Sequence, residues 1–215
     1  DAVMAVMDNL LPDALHYYDD ELHEYLKGSA STYRFTASAK HPDSLYIIEG
    51  AKIAFVYRGK DYYFNIMQVE RNEFEVTAEC YFTSFELLNE YVPAYNSNGP
   101  KSFEEYLIAF DPERTVTLGI NEVSDKRISN EWTGEDTVLA RLFSVASLFD
   151  AEIEFEAKLN DDYSLGKIVM NVYQEHSDTN QGMGLRRNDI CLRYGKNVTG
   201  VKKTSDVLQL YTGIR

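Results

Sequence analysis

The chain has four histidines, and their spacing decides whether it could hold a metal or perform acid–base chemistry. They stand at His16, His23, His41 and His176. His23-Glu24 begins like the zinc-protease motif His-Glu-x-x-His, but position 27 is Lys. His16 and His23 are seven residues apart and would share one face of a helix, yet the acidic residues around them are typical of a solvated surface. The histidines therefore predict no metal centre.

The two cysteines, Cys80 and Cys191, are far apart in sequence and neither lies in a nucleophile signature. Both stand in short apolar segments, so we interpret them as buried thiols within strands. No Gly-x-Ser-x-Gly elbow, phosphate-binding glycine loop or dinucleotide fingerprint is present. The paired acids Asp161-Asp162 lack the ligand spacing of a calcium loop and indicate a turn. The sequence thus predicts no catalytic residues, no metal and no cofactor.

One charged cluster is distinctive in a chain whose formal net charge is −14. Six of the 21 basic residues fall within eighteen positions near the carboxyl end: Arg186, Arg187, Arg193, Lys196, Lys202 and Lys203. Two interpretations remain open, a solvated strand face or an interface with an acidic surface of a neighbouring subunit, since complementary charge fixes register. The acidic composition argues against wrapping duplex DNA, so we predict no specific nucleic-acid binding.

Composition indicates a folded protein. The chain has 215 residues, 44% of them hydrophobic, with 16 Tyr and 11 Phe, which is enough to build a substantial core. No run of about 18 apolar residues occurs, and we predict no membrane association. The amino end lacks the positively charged region of a signal peptide.

The first section of the chain favours antiparallel strands. Residues 31–37 alternate, with Tyr33, Phe35 and Ala37 on one face. Two aromatic and β-branched runs, 51–57 and 61–69, flank Arg58-Gly59-Lys60 and predict a hairpin. A third run, 74–82, extends this meander.

The second section mixes helices and strands. Ser102 and Glu105 form a capping box that predicts a helix to residue 110, and a similar box predicts a helix over 85–92. The apolar spacing over 138–149 predicts the longest helix, with acids in its first turn that would suit its dipole. Residues 151–157 alternate Ile and Phe with Glu, which predicts a strand with one wet face.

These elements indicate an α+β fold that is predominantly antiparallel β. We predict a β-rich, barrel-like domain over 1–95 and an α+β domain over 96–184. A basic β-hairpin over 185–215 would start a second barrel that is incomplete in this sequence. That hairpin has a strand over 189–194 and a turn at Gly195-Lys196-Asn197.

The closing stretch resembles the prophage tail endopeptidase-like family, also called tail-associated lysins. The most specific residues are Tyr194-Gly195-Lys196-Asn197, followed by Thr204-Ser205-Asp206. Shorter pieces in the family's order are Tyr63-Phe64-Asn65-Ile66 and the passage from Val76 to Leu88. The match extends over most of the chain in short segments.

The resemblance implies a structural role at the virion tail tip. Such proteins form a homotrimeric, baseplate-hub-like ring of β-barrel domains that extends the tail tube. The resemblance further implies docking to the distal tail protein and carriage of tail fibre or lysin modules. Any peptidase activity would lie in sequence further along, and no residue here matches the catalytic motifs. We therefore expect no enzymatic activity from this chain.

Two other functions remain as alternatives. The first is a peptidoglycan-degrading tail endopeptidase, which needs histidines and acids gathered in one cleft. The second is a cell-surface carbohydrate-binding module, which needs several of the 16 tyrosines exposed along one groove.

Overall fold

A computed structural model of the chain describes residues 3–25, 31–83, 90–184, 189–196, 198 and 200. It divides into two compact units, Asp1–Gly184 and Leu185–Arg215. Over the described part the architecture is α+β and mostly antiparallel β, as the sequence predicts. The finer division of the first unit at residue 95 stays a prediction.

A five-stranded antiparallel sheet dominates the first half of the chain. Its strands in chain order are β1 (Tyr17–His23), β2 (Thr32–Ser38), β3 (Lys52–Tyr57), β4 (Lys60–Arg71) and β5 (Glu75–Phe82). Their order across the sheet is β1-β2-β5-β4-β3. Among the described residues, β1 and β3 do not pair with each other, so the sheet is an open half-barrel with these two as its outermost strands.

The predicted β3–β4 hairpin is confirmed, together with its turn. Arg58 and Gly59 have φ angles of 52° and 78°, the left-handed conformations that a two-residue type I′ turn requires. Tyr57 faces Lys60 and closes the turn. A 3₁₀ helix, Pro42–Tyr46, precedes this hairpin.

One face of the five-stranded sheet is an aromatic core. Tyr33, Phe35 and Ala37 are buried there, as their alternation predicts. Phe64 is completely buried in the middle of the face. Phe55 packs on Tyr33 with ring centroids 4.9 Å apart. Phe55 also stacks on Tyr62 of the adjacent strand β4, with ring centroids 5.1 Å apart. Aromatic pairs of this kind contribute about 1 kcal/mol each beyond their buried area.

The second half of the first unit packs two helices and a three-stranded sheet. The helices are α1 (Phe103–Phe110) and α2 (Val138–Leu148). The larger strands are β8 (Val116–Asn121), β11 (Ala151–Leu159) and β12 (Leu165–Gln174). β12 pairs antiparallel with β11 and parallel with β8. Short strand pairs join β6 (Tyr91–Val92) to β10 (Asp136–Thr137) and β7 (Tyr95–Asn96) to β9 (Glu131–Trp132).

The helix starts confirm one prediction and correct another. Glu105 Oε2 accepts from the Ser102 backbone N–H at 2.8 Å, and Ser102 Oγ accepts from the Glu105 N–H at 3.2 Å, so the capping box is present. The long helix begins after Thr137, whose hydroxyl caps the Ala140 N–H. Its first turn therefore holds no acid, contrary to the prediction. The predicted helix over 85–92 lies mostly outside the described residues, and Tyr91–Val92 is a strand.

Candidate assembly surfaces

The six basic residues of the sequence prediction are only partly described. Arg193 and Lys196 are exposed, as an interface or a solvated face both require. Arg186, Arg187, Lys202 and Lys203 lie outside the described residues. The turn predicted beside them is present, because Gly195 has a φ of 77° and the Val198 N–H donates to the Arg193 carbonyl at 3.2 Å.

The expected strand over 189–194 is wrong, and so is the buried Cys191. Residues 189–193 form no strand, and the Cys191 side chain is exposed. Ile190, Leu192 and Tyr194 are also exposed, so the apolar residues of this segment find no core to cover them among the described residues. Cys80 is buried in β5 as predicted, and burial raises the pKa of its thiol to about 12.

The histidines are dispersed over the first unit. His16 precedes β1 and His23 is its last residue, so the two do not lie on a helix, which corrects the shared-face interpretation. His16 Nε2 contacts the Leu11 carbonyl, and His23 Nε2 lies 2.9 Å from Glu21 Oε1. His176 Nδ1 contacts the Gln181 carbonyl at 2.9 Å. In the described part of the chain, no group of three His, Cys, Asp or Glu residues is placed to hold a metal.

Two carboxylates do come together, but a lysine lies between them. Lys60 Nζ lies 2.9 Å from Glu24 Oε1 and 2.8 Å from Glu154 Oε1. Partial burial acts to lower the pKa of Lys60, yet the hydrogen bonds to Glu154 and Glu24 outweigh it and raise that pKa. The ammonium therefore stays charged and forms an ion pair with each acid. The arrangement is a salt-bridge cluster rather than an acid–base pair.

Tyr62 completes this cluster on the side of the five-stranded sheet. Its hydroxyl donates to Glu24 Oε1 at 3.1 Å. Partial burial and the charge of Glu24 raise the pKa of Tyr62 to about 12, so the phenol stays protonated at neutral pH. Asp61, beside it, accepts the Leu159 N–H at 3.0 Å. These contacts fix the start of β4 against β11.

The prediction that one face of 151–157 is exposed to solvent is wrong, because tertiary contacts cover its glutamates. Glu154 forms an ion pair with Lys60. Glu152 is buried, and its carboxylate accepts the Met183 N–H at 2.6 Å. Both partners are distant in sequence, so the local alternation of Ile, Phe and Glu carries no signal for them. Only the tertiary fold shows that this face is covered.

The tyrosines are divided between the core and several parts of the surface. Four are buried, namely Tyr33, Tyr62, Tyr63 and Tyr106, and these rings are closed to a sugar ligand. Exposed tyrosines include Tyr18 on β1 and Tyr57 at the end of β3, which are opposite edges of one sheet.

The edge formed by β3 is regular and apolar. Its sequence is Lys-Ile-Ala-Phe-Val-Tyr, and it pairs with β4 through every residue without a bulge. Val56 is 52% exposed and Tyr57 is 48% exposed. A flat strand edge with exposed apolar side chains is the surface most prone to accept another strand.

The edge formed by β1 is acidic and irregular. Asp19, Asp20 and Glu21 are all exposed, and Asp19 has a φ of 49° in a bulge that shifts the pairing between Tyr18 and Glu21. Beyond the bulge, Glu21 to His23 pair regularly with β2. Charges and bulges limit non-specific pairing at a strand edge. Only the end of β1 is therefore available for a regular ladder.

An apolar segment precedes β1. Val3, Met4, Val6, Leu10 and Leu11 are each more than half exposed. Part of this segment lines an open cleft together with Pro12 and Asp43. The segment is held in place because the Leu15 N–H donates to the Val6 carbonyl at 3.3 Å. Among the described helices, none is long and apolar enough to cross a membrane.

Comparison with known proteins gives structural similarity only. No protein-family model matches the chain, and no curated protein matches it. A tail protein from Neisseria meningitidis MC58 is similar with a TM-score of 0.46 and 14% identity, over 72% of this chain and 44% of that one. A prophage tail protein from Listeria monocytogenes EGD-e is similar with a TM-score of 0.49 and 13% identity, over 75% of this chain and 46% of that one.

A third similar structure is the 43 kDa tail protein of prophage MuSo2 from Shewanella oneidensis. It gives a TM-score of 0.47 and 11% identity, over 70% of this chain and 48% of that one. The chain therefore spans less than half the length of each of these three structures.

Proposed function

We propose that this chain is a structural protein of a phage tail, the hub component at the tail tip, and that it acts by assembling with copies of itself. The observation that carries the proposal is the open five-stranded sheet, which ends in the apolar edge β3 and the acidic edge β1. The resemblance of residues 194–197 to tail-associated lysins supports the same role.

The physical argument is that unpaired strand edges must be covered. Backbone N–H and C=O groups at an edge template pairing with any other strand. A closed ring of identical subunits removes every such edge at once, whereas an open contact continues into a filament. We propose a homotrimer, because that is the assembly that the resemblance to tail-associated lysins implies.

The acidic composition suits a tube that DNA must pass. A net charge of −14 repels phosphate, so DNA would not adhere to walls made from this chain. The proposed partners are the distal tail protein on one side of the ring and tail fibre or lysin modules on the other.

In this proposal the chain itself is not a catalyst. Glu24 and Glu154 both form an ion pair with Lys60, which leaves neither one placed as a general base. Incubation of the purified chain with peptidoglycan should leave the turbidity of the suspension unchanged. Clearing of the suspension that Glu154→Gln abolishes would establish the enzymatic alternative instead.

Immunogold electron microscopy on intact phage particles tests the proposed location. An antibody raised against the purified chain should label the tail tip, in particles whose heads and tail shafts are unlabelled. Label along the shaft, on the head or on no part of the particle would contradict the proposal. Pre-absorption of the antibody with the purified chain is the control.

A further inference from the structure

We infer that the carboxylate of Glu152 anchors the last segment of the first unit, residues 176–184, as a strap that opens in one piece when this anchor is lost. Glu152 lies on β11, and the strap follows β12 in the chain. This role lies beyond the proposed function, because it concerns the way the chain leaves the first unit and not the way in which copies assemble. A device of this kind controls the length of free chain that precedes the second unit.

The strap leaves the sheet and returns to it. Just beyond β12, the Glu175 N–H still donates to the Asp150 carbonyl at 2.8 Å. The chain then turns, since the Ser177 N–H donates to the Asn180 carbonyl at 3.1 Å. Most residues at the tip of this loop are exposed, whereas Gly182 is buried again. The strap therefore has its tip in solvent and its far end packed against the first unit.

One carboxylate contacts both ends of the strap. Glu152 is only 5% exposed. Its Oε1 accepts the His176 N–H at 3.4 Å, at the start of the strap, and its Oε2 accepts the Met183 N–H at 2.6 Å, near the end. Hydrogen bonds to an ionised carboxylate are stronger than those between neutral groups. Glu152 therefore bridges the beginning and the return of the loop.

The other hydrogen bonds of the strap are internal. His176 Nδ1 lies 2.9 Å from the Gln181 carbonyl, and Gln181 Nε2 donates to the Gly184 carbonyl at 2.7 Å. Ser177 Oγ accepts the Asn180 N–H at 3.0 Å. These contacts shape the strap without attaching it to the sheet. Hydrogen bonds between the strap and the rest of the described chain all go to the one buried carboxylate.

Gly182 lets the strap approach this carboxylate closely. A Cβ atom placed on Gly182 would lie 2.6 Å from Glu152 Oε2 and 3.0 Å from the His176 backbone nitrogen. Gly182 also has a φ of 71°, a conformation that residues with a side chain rarely adopt. Any side chain at this position would displace the Glu152 carboxylate and strain the loop. Gly182 and Glu152 therefore form the two sides of a single anchoring contact.

Loss of the anchor should open the strap alone. β11 pairs with β12 along its whole length, so the sheet does not depend on the strap. Local openings of this kind occur separately from global unfolding. The first unit ends at Gly184, and an open strap adds nine residues of flexible chain, with an average span of about 15–18 Å, before the second unit. The anchor therefore sets the length of that tether.

Hydrogen–deuterium exchange of the full chain, followed by mass spectrometry, tests the anchor. Glu152→Ala should raise the exchange rate of the strap amides, including Met183, by at least about tenfold, because it removes the hydrogen bonds to a charged group. Amides of β11 and β12 should exchange at the wild-type rate. Glu156→Ala is the matched control, since Glu156 lies on the same face of β11 and pairs with Lys158 instead. It should leave the exchange of the strap unchanged.

Gly182→Ala tests the same contact from the other side. It should raise the exchange of the strap by a similar factor while Glu152 is intact, and the double variant should open the strap no further, because both changes break one contact. Strap exchange that is unchanged in Glu152→Ala, or already as fast in wild type, would overturn the inference. Faster exchange throughout β11 and β12 would also overturn it, because Glu152 would then support the sheet and not the strap alone.

Discussion

Lys60 Nζ lies 2.8 Å from Glu154 Oε1, and this contact joins β4 to β11 across 94 residues of chain. Asp61 strengthens the same junction by accepting the Leu159 N–H. The β3–β4 hairpin is therefore anchored at its turn by a different sheet. In the proposed assembly, such an anchor would favour pairing of the β3 edge, because a rigid edge loses less entropy on binding.

Removal of the Lys60 side chain should destabilise the first unit. Lys60→Ala leaves Glu24 and Glu154 close together without a cation, and both are partly shielded from water. After allowance for their partial exposure, we expect the free energy of unfolding to fall by about 1–2 kcal/mol. Urea denaturation followed by circular dichroism measures it.

Lys158→Ala is the matched control for Lys60→Ala. Lys158 pairs with Glu156 at 2.7 Å, but its side chain is half exposed and serves a single carboxylate. Surface pairs of this type contribute at most about 0.5 kcal/mol. An equal loss of stability in both variants would contradict the special role of Lys60.

Phe64 should be the most sensitive position of the aromatic face. It is fully buried and lies near Phe55, Tyr62 and Phe82. Phe64→Ala leaves a cavity and should lower the free energy of unfolding by about 3–5 kcal/mol. Phe74→Ala, at a residue 61% exposed, should change it by less than about 0.5 kcal/mol. Equal losses of stability in Phe64→Ala and Phe74→Ala would contradict the position of Phe64 in the centre of this core.

The capping box of α1 gives a pH dependence with a defined sign. Hydrogen bonds from the backbone and side chain of Ser102 lower the pKa of Glu105, and Arg127 at 2.7 Å acts in the same direction. The folded pKa therefore lies below the unfolded value of about 4.3. The stabilisation is complete above that value and is lost as the pH falls through the folded pKa.

Glu105→Gln keeps the hydrogen-bonding geometry and removes the titration. Wild type should be more stable than Glu105→Gln at pH 6, and the difference should shrink as the pH falls from about 4.3 towards 3. Thermal melts at a series of pH values measure this difference. An increase of this difference at acid pH would contradict a lowered pKa for Glu105. In a Ser102→Ala background, the pH dependence of the difference should be smaller.

Arg141 is buried on α2 and stacks over Trp132 and Phe110. One nitrogen donates to the Gly134 carbonyl at 2.8 Å, while Nε and Nη1 have no hydrogen-bond partner among the described residues. A buried charge with incomplete pairing is costly, so Arg141→Met should be neutral or raise the free energy of unfolding by up to about 2 kcal/mol.

Arg141→Ala should behave differently, because it also leaves a cavity and should cost about 2–4 kcal/mol. Trp132 is the single tryptophan of the chain, so its fluorescence reports the unfolding of the Arg141→Met variant and of the Arg141→Ala variant. Equal destabilisation by the two substitutions would show that the charge itself is stabilising.

Local patterns predicted much of the fold. The β3–β4 hairpin followed from two alternating runs around Arg58-Gly59, and α1 followed from its capping box, since both signals lie within a few residues. β1 escaped prediction because Tyr-Tyr-Asp-Asp-Glu-Leu-His has the composition of a solvated surface. It is a strand because β2 pairs with it, and the bulge at Asp19 accommodates the acids.

The candidate surfaces could be predicted only in part. The charge cluster near the carboxyl end is visible in the sequence, whereas the β3 edge is not, because the order of strands decides which one stays unpaired. The Lys60 cluster depends on partners 36 and 94 residues away. No local pattern carries such pairings. Apolar alternation also misplaced Cys191, since it shows that a segment could be a strand without showing that another strand covers it.

The mass of the purified chain in solution tests the central claim most directly. Multi-angle light scattering over a range of concentrations should give a discrete particle of three times the 24.7 kDa chain mass, stable on dilution and lost when Val56→Lys charges the β3 edge. A particle of 24.7 kDa at every concentration would contradict the claim that this protein acts by closing its sheet edges against copies of itself.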